Sequence, residues 1–351
     1  MKILNLFCCS ILLTLSLVAQ ESYYSYSVED LEKDSSSFTL DNQSLERWNQ
    51  ILDDYFDKQA TNHYLKSSFF TYLYTAQRDF IFLAHELTGS FEGSLDPISL
   101  KISTLFFPDF PTPSGMQKDC FSVQLAEVVF AKYEQRFEKE QKRVQQVEAK
   151  KAQTKWLFWL LKREILPPAP KELQSSAGIR RQVEILKERC KGFTKEDEED
   201  ARFWAGLKGR GSGDWREIAN RYMQEQKVPF AKRVLVRSNL MMALSDGAID
   251  ALIAKYHFGI ARPPVTTPEL TPLVPLPTTP SYPSRHAVIA AVAETVLSYY
   301  FPSGHERFVE LAHASALSRI CARVHYPLDR EAGLDLGKEI GREALVQISA
   351  L

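Results

Sequence analysis

The sequence lacks an excess of charge of either sign, because 43 Lys and Arg residues are balanced by 44 Asp and Glu residues. The formal net charge of −1 supplies no global basic field, so the composition argues against nucleic acid as a partner. The alternating polar and apolar pattern of β-strands is missing, and so is a glycine-rich nucleotide loop. Apolar residues recur at helical spacing instead. The sequence therefore predicts an all-α fold in which any anion site is local.

Cysteine is scarce, with five residues in the whole chain. Cys8 and Cys9 fall in an apolar N-terminal stretch, and the spacing of Cys120, Cys190 and Cys321 is not that of a zinc site. These three cannot all pair within one chain. The sequence leaves open whether two of them form a disulfide.

A long apolar run occurs only near the N-terminus, over residues 3–18, where it follows Lys2. This run is shorter than the roughly 20 residues that a membrane-spanning helix needs. It predicts a secretory signal peptide over residues 1–19, cleaved near Ala19, rather than a retained membrane anchor. The mature protein is therefore expected to be secreted or periplasmic and to have no stable membrane span.

The region 20–230 is predicted to be helical, and its most distinctive part is a long charged helix over residues 122–163. Apolar residues are sparse between residues 139 and 155, too sparse for a coiled-coil seam. This pattern favours a solvated, protruding helix, and the alternative is an arm that binds a partner. Pro167 and the prolines that follow it stop the helix.

From residue 231 apolar residues become denser, and residues 231–351 are predicted to form a helical catalytic core. A proline-rich linker precedes three predicted helices, over residues 286–301, 304–325 and 329–350. The chemistry-bearing residues fall in this part of the chain.

Three cations of this region suggest a site for an oxyanion. Lys255 and Arg262 lie seven residues apart, about two helical turns, so they can share one helix face. Arg319 adds a third positive charge. Because the guanidinium group binds phosphate oxygens in pairs, phosphate is the ligand that this set of side chains favours.

Two histidines accompany these cations. Ser284 precedes an apolar helix as its predicted N-cap, so His286 lies in the first turn, where backbone N–H groups and the helix dipole attract anions. His325 is followed four residues later by Asp329. A carboxylate at this spacing fixes the imidazole tautomer and leaves the other ring nitrogen free to attack.

Together these clusters resemble the signature of the type 2 phosphatidic acid phosphatase / vanadium haloperoxidase superfamily, which reads KxxxxxxRP, then PSGH, then SRxxxxxHxxxD. The first and third motifs match at every fixed position, and in the second Arg285 stands in place of glycine. The resemblance covers residues 235 to 345 approximately. As a predicted secreted protein, the chain also resembles the bacterial class A acid phosphatases. No comparable match covers residues 20–230.

The resemblance implies a helical bundle and a metal-independent phosphate ester hydrolysis without a cofactor. His325 would form a phosphohistidine, Asp329 would orient it, and His286 would protonate the leaving group. The residues implied to hold the phosphoryl oxygens are Lys255, Arg262, Ser284, Arg285 through its backbone N–H, and Arg319. The expected substrate is a phosphorylated small molecule or a lipid phosphate, and homo-oligomer formation is left open.

Two alternatives use the same pocket. In a vanadate-dependent haloperoxidase, vanadate would be the cofactor and His325 would ligate vanadium. In a non-enzymatic anion-binding protein, the bulk of Arg285 would make the pocket inert.

A second PSGH motif ends at His305. Only 12 residues separate His305 from Ser318, whereas 31 separate His286 from Ser318. The longer separation leaves room for one helix and part of a second helix that runs back in the opposite direction. We therefore predict that His286 is the active-site histidine and that His305 follows a turn between helices.

Overall fold

A computed structural model of the chain describes residues 42–58, 63–88, 93–117, 119–148, 158–206 and 214–350. Within these ranges the regular structure is helical and contains no strand, which confirms the predicted all-α fold. The predicted signal peptide over residues 1–19 lies outside them. Among the described residues, no helix combines the length and the apolar character that a membrane crossing needs.

The helices are numbered here in chain order. The first four are α1 (Asn42–Asp57), α2 (His63–Thr88), α3 (Asp96–Phe106) and α4 (Cys120–Glu148). The next four are α5 (Ser176–Lys191), α6 (Lys195–Trp204), α7 (Trp215–Glu225) and α8 (Phe230–Phe258). The last four are α9 (Pro263–Thr266), α10 (Arg285–Tyr300), α11 (His305–Cys321) and α12 (Pro327–Ser349).

The described chain divides into two compact units. The first contains α1 to α4 and residues 227–241, and the second contains the described parts of residues 158–226 together with residues 242–349. The second unit thus includes helices that the sequence analysis assigned to the region 20–230. The boundary at residue 231 stays a prediction about the catalytic core.

The long charged helix predicted over residues 122–163 is wrong at its C-terminal end. Helix α4 ends at Glu148, and residues 158–163 are not helical. The backbone N–H groups of residues 159–161 donate to the carboxylate of Asp246, at 2.7, 2.7 and 2.9 Å. Because these donors are bound by a distant side chain, they make no helical hydrogen bonds.

The first unit has an aromatic core in which Phe56, Phe69, Phe70 and Phe107 pack at ring-centroid distances of 5.2 to 5.5 Å. Rings at these distances and tilted angles pack favourably edge to face.

In the second unit, α10 is buried around most of its circumference. Ala287, Ala290, Val292 and Ala293 are completely buried, although they point in different directions around the helix. Helix α10 packs against both α11 and α12. It is therefore the central helix of this unit.

Glycines let α12 approach α10 very closely. Gly333, Gly337 and Gly341 lie four residues apart on the face of α12 that meets α10. A Cβ atom on Gly333 would lie 2.6 Å from the carbonyl oxygen of Ser284, and one on Gly337 would collide with the carbonyl oxygen of Val288. The backbone of α12 thus packs directly against α10, and this contact places the N-terminus of α10 beside the first turn of α12.

Candidate active site

His325 lies in the turn between α11 and α12, where it is 3% exposed. Its Nδ1 is 2.9 Å from Oδ2 of Asp329, a fully buried residue in the first turn of α12. The same oxygen accepts hydrogen bonds from the hydroxyl group of Ser281 at 2.5 Å and from the backbone N–H of Tyr326 at 3.0 Å. A carboxylate held in this way fixes the proton of His325 on Nδ1 and leaves a lone pair on Nε2.

Burial and the surrounding positive charges keep this imidazole neutral. Burial, followed by the charges of Arg262 and Lys255, holds the pKa of His325 well below its usual range. Burial also raises the pKa of Asp329 to about 6, against the opposing effects of the Ser281 hydrogen bond and the Lys255 charge. The other oxygen of this carboxylate, Oδ1, is buried and has no hydrogen-bond partner among the described residues.

Arg262 contacts the ring nitrogen of His325 that does not face Asp329. Its Nη1 lies 3.1 Å from His325 Nε2 and also donates to the carbonyl oxygen of Val324 at 2.8 Å. Its Nε and Nη2 donate to both oxygens of Thr279 and to the carbonyl oxygen of Pro280. All five N–H groups of this guanidinium therefore have acceptors within the protein. The side chain is a fixed positive charge beside Nε2.

Lys255, in the last turn of α8, is 1% exposed. Its ammonium group donates to the carbonyl oxygens of Pro280 and Ser281 at 2.7 and 2.8 Å. Burial, reinforced by the charge of Arg262, lowers the pKa of Lys255 well below its usual value. The residue holds the segment that carries Ser281 against the site.

The N-terminus of α10 is joined to the first turn of α12. Ser284 is the N-cap, its Oγ accepts from the backbone N–H of Ala287, and its own N–H donates to the carbonyl oxygen of Asp329 at 2.9 Å. Arg285 and His286 open the 16-residue helix and are partly buried. The positive end of α10 therefore lies at the site.

Arg319 and His286 are both held by α6. Arg319 donates through Nη2 to the carbonyl oxygen of Ala201 and through Nε to Oγ of Ser318 at 3.0 Å. His286 donates through Nε2 to the carbonyl oxygen of Trp204 at 3.2 Å. Burial lowers the pKa of Arg319 to about 10.

The structure brings most of the predicted residues into one network. Lys255, Arg262, Ser284, His325 and Asp329 are connected by the hydrogen bonds described above, and Ser281 links Lys255 to Asp329. The remaining three lie close enough to act electrostatically, because the charges of His286 and Arg319 lower the pKa of His325 and that of Arg285 lowers the pKa of Lys255. Their catalytic and anion-binding roles stay predictions.

His305 lies elsewhere. Its Nδ1 is 3.0 Å from Oγ of Ser298, which is twelve residues along α10 from His286, or about 18 Å at the helical rise. This exposed histidine begins α11 directly after a turn.

Three contributors to the site were not predicted from the sequence. Ser281 and Thr279 lie shortly before the PSRH motif, and their proximity to it is the one signal that could have indicated them. The last turn of α6 contributes through backbone carbonyl oxygens, which have no side-chain signature.

Comparison with known proteins agrees with this geometry. The sequence model of the PAP2 superfamily matches residues 235–348, a range that contains all eight predicted site residues. We call this matched range, residues 235–348, the PAP2 region. No curated protein matches the sequence. The PAP2 region includes α9 to α12 but not α6, although α6 reaches the site.

Solved structures share the fold beyond the PAP2 region. A bacterial vanadium-dependent iodoperoxidase aligns with a TM-score of 0.64 and 16% identity over 87% of this chain and 96% of that one. A holo-type bacterial vanadium-dependent chloroperoxidase aligns with a TM-score of 0.60 and 12% identity over 82% and 91% of the two chains. Identities this low show a common fold and nothing further. Among the described residues, no group of three or more His, Cys, Asp and Glu side chains is arranged to hold a metal ion.

Proposed function

We propose that this protein hydrolyses phosphate monoesters through a phosphohistidine formed on His325. The observation that carries the proposal is the buried His325–Asp329 pair, whose Nε2 lone pair faces Arg262 in a cluster of cations. A neutral imidazole with its Nδ1 proton held by a carboxylate is a nitrogen nucleophile. Fixed positive charge beside it stabilises the negative charge that develops on phosphoryl oxygens.

In the first step, Nε2 of His325 attacks phosphorus and the bond from phosphorus to the ester oxygen breaks. The N–H of Arg262 that contacts Nε2 is exchanged to a phosphoryl oxygen, which releases the lone pair for attack. The positive charge that forms on the imidazole is balanced by Asp329 through the Nδ1 proton. His286 gives its proton to the departing ester oxygen.

In the second step, a water molecule attacks phosphorus and the bond from phosphorus to Nε2 breaks. His286 takes a proton from this water and so returns to its starting state. The products are an alcohol and inorganic phosphate, and His325 regains its lone pair. Lys255, Arg319 and the N-terminus of α10 stabilise the phosphoryl charge through both steps.

Arg285 is the residue that bears on the substrate class. Arg285, in place of the family glycine, adds a charged side chain beside the α10 N-terminus and favours a compact phosphorylated molecule over a bulky lipid phosphate. With the predicted signal peptide, this activity would take place in the periplasm or outside the cell.

The test is hydrolysis of p-nitrophenyl phosphate by the purified protein, followed by trapping with ³²P-labelled substrate in an alkaline denaturing quench. We expect phosphate release and a labelled protein whose phosphate is lost in acid and retained in alkali, because a phosphorus–nitrogen bond hydrolyses in acid. The absence of hydrolysis between pH 4 and 8 would contradict the proposal, as would an acid-stable label.

Activity is expected to fall about tenfold per pH unit below pH 6, since Asp329, whose pKa is raised to about 6, must be ionised to hold the Nδ1 proton of His325. Because its pKa is raised, Asp329 takes up a proton near pH 6, above the pH at which an ordinary aspartate does so. The loss of activity therefore begins as the pH falls through 6 and is absent above it. The measurement is kcat/KM between pH 4 and 7.5.

Asp329→Asn is the control for this profile, because the substrate ionises equally in both proteins. The fall below pH 6 should be missing from the low residual activity of this variant. A profile that is the same in both proteins would show that the acid limb belongs to the substrate or to another group.

A second candidate function is vanadate-dependent halide oxidation, favoured by the fold shared with the iodoperoxidase and chloroperoxidase structures. The chemistry of these residues fits vanadate, because His325 offers an unprotonated nitrogen and the cations suit an oxyanion. Bound vanadate would supply activation of hydrogen peroxide, while Lys255, Arg262 and Arg319 would balance its charge. Bromination of a dye that requires both vanadate and peroxide, without phosphate ester hydrolysis, would favour this function over the first.

A further inference from the structure

The last turn of α6 contacts two predicted site residues although it precedes the PAP2 region by some thirty residues. Helix α6 ends at Trp204, so the carbonyl oxygens of its last turn lack donors from the helix itself. The N–H of Ala205 bonds to the carbonyl oxygen of Phe203. The carbonyl oxygens of Ala201 and Trp204 accept from Arg319 and His286 instead.

Both ends of α6 are fixed by packing and capping. Ala201 is fully buried in an apolar cluster with Cys321 and Ala322 at the C-terminal end of α11. The ring of Trp204 packs against that of Trp215 at a centroid distance of 6.0 Å. At the other end, Thr194 and Asp197 form a capping box. The two carbonyl oxygens are therefore held in place by contacts that do not involve His286.

A histidine ring has two nitrogens, and a carbonyl oxygen can only accept a hydrogen bond. The nitrogen of His286 that faces Trp204 must therefore carry a proton, in the neutral as well as in the charged ring. Proton exchange with a ligand then falls to Nδ1. The corresponding contact of Arg319 fixes one side of its guanidinium fork and so sets the direction of the other.

We propose that the last turn of α6 positions the site: the Trp204 carbonyl holds the Nε2 proton of His286, so that Nδ1 exchanges protons, and the Ala201 carbonyl aims Arg319 at the anion. The role of His286 as general acid rests on the proposed function. The orientation of the His286 and Arg319 side chains does not depend on that function, and it is tested by measurements that require no enzyme activity.

Ala205→Pro changes the carbonyl contacts with little change to the side chains. Ala205 has φ of −84°, close to the value that proline requires, and it loses one N–H bond to Phe203. Proline disfavours the helical conformation of the residue before it, so the Trp204 carbonyl rotates away from His286. Ala205→Ser is the matched control, because serine keeps the N–H and leaves Trp204 in its helical conformation.

Two measurements decide the proposal, and both use the full chain. The first is ¹⁵N NMR of the histidine rings, with His286→Gln for assignment. The neutral His286 ring should carry its proton on Nε2 in the native protein and in Ala205→Ser, and it should lose the hydrogen-bonded Nε2 signal in Ala205→Pro. A proton on Nδ1 in the native protein would overturn the proposal even if Ala205→Pro does not fold.

The second measurement is the Kd of inorganic vanadate, determined by calorimetry. We expect Ala205→Ser to stay within twofold of the native protein and Ala205→Pro to bind about tenfold more weakly, because Arg319 and His286 lose their orientation. Equal or tighter binding by Ala205→Pro would show that the carbonyls compete with the anion for these donors. If vanadate binding and the ring protonation follow the proposal while p-nitrophenyl phosphate is not hydrolysed, the proposed function fails and the positioning role stands.

Discussion

Replacing His325 with glutamine is expected to lower kcat for phosphate ester hydrolysis by about 10⁵-fold, the largest effect of any single substitution in this protein. Glutamine has a similar volume, and its side-chain amide keeps a hydrogen-bonding group beside Arg262. It has no nitrogen lone pair that can attack phosphorus, so the covalent step is lost while the pocket keeps its shape.

The measurement is kcat for p-nitrophenyl phosphate, together with the Kd of vanadate. We expect the affinity for vanadate to fall far less than kcat, since the cations that balance the anion are still present. Residual activity above about 1% of the native value would show that His325 is not the nucleophile.

His305→Gln is the matched control, because it makes the same chemical change in the second PSGH motif. His305 contacts Ser298 on the surface, far along α10 from the site. Its replacement should leave kcat within twofold. A large loss in this variant would mean that the wrong motif has been assigned to the active site.

The second large effect is expected on stability, from Gly337→Ala. An added Cβ would collide with the backbone carbonyl oxygen of Val288 and lie 2.7 Å from the Cβ of Ala291, both on α10. Because neither atom belongs to a flexible side chain, the two helices must separate. Overpacking of this kind costs about 3 kcal/mol, and the better helix propensity of alanine offsets about 1 kcal/mol of it.

The free energy of unfolding should therefore fall by about 2 kcal/mol, measured by urea denaturation with α-helical circular dichroism. Gly192→Ala is the control, since an added Cβ there meets only the carbonyl oxygen of Arg189 at 3.6 Å, and it should change stability by less than about 0.5 kcal/mol. Equal stability of the two variants would show that α12 has room to move away from α10 at little cost.

The fold class and the contact between His325 and Asp329 could be predicted from the sequence because both depend on local spacing. The helical period identified α10 and α12. The four-residue separation of His325 and Asp329 predicted the contact that the structure shows at 2.9 Å. In these cases the residues that determine the structure are neighbours in the chain.

Features that depend on distant contacts could not be predicted. The non-helical conformation of residues 158–163 escaped prediction because the charged residues before them are good helix formers and the acceptor for residues 159–161, Asp246, lies 85 residues or more away in sequence. The role of α6 escaped it because its groups are backbone carbonyls, paired with donors 82 and 118 residues away. Such pairs leave no periodic pattern in the sequence.

The contact between Arg262 and Nε2 of His325 also has a consequence for the resting protein. With no anion bound, the lone pair that would attack phosphorus is covered by a guanidinium N–H that is itself anchored to the backbone at Thr279 and Val324. The imidazole is thereby shielded from oxidants, acylating agents and metal ions. Nε2 would become available only when a ligand with enough negative charge draws that N–H away. The same arginine would thus block the nucleophile in the absence of substrate and bind the anion whose arrival unblocks it.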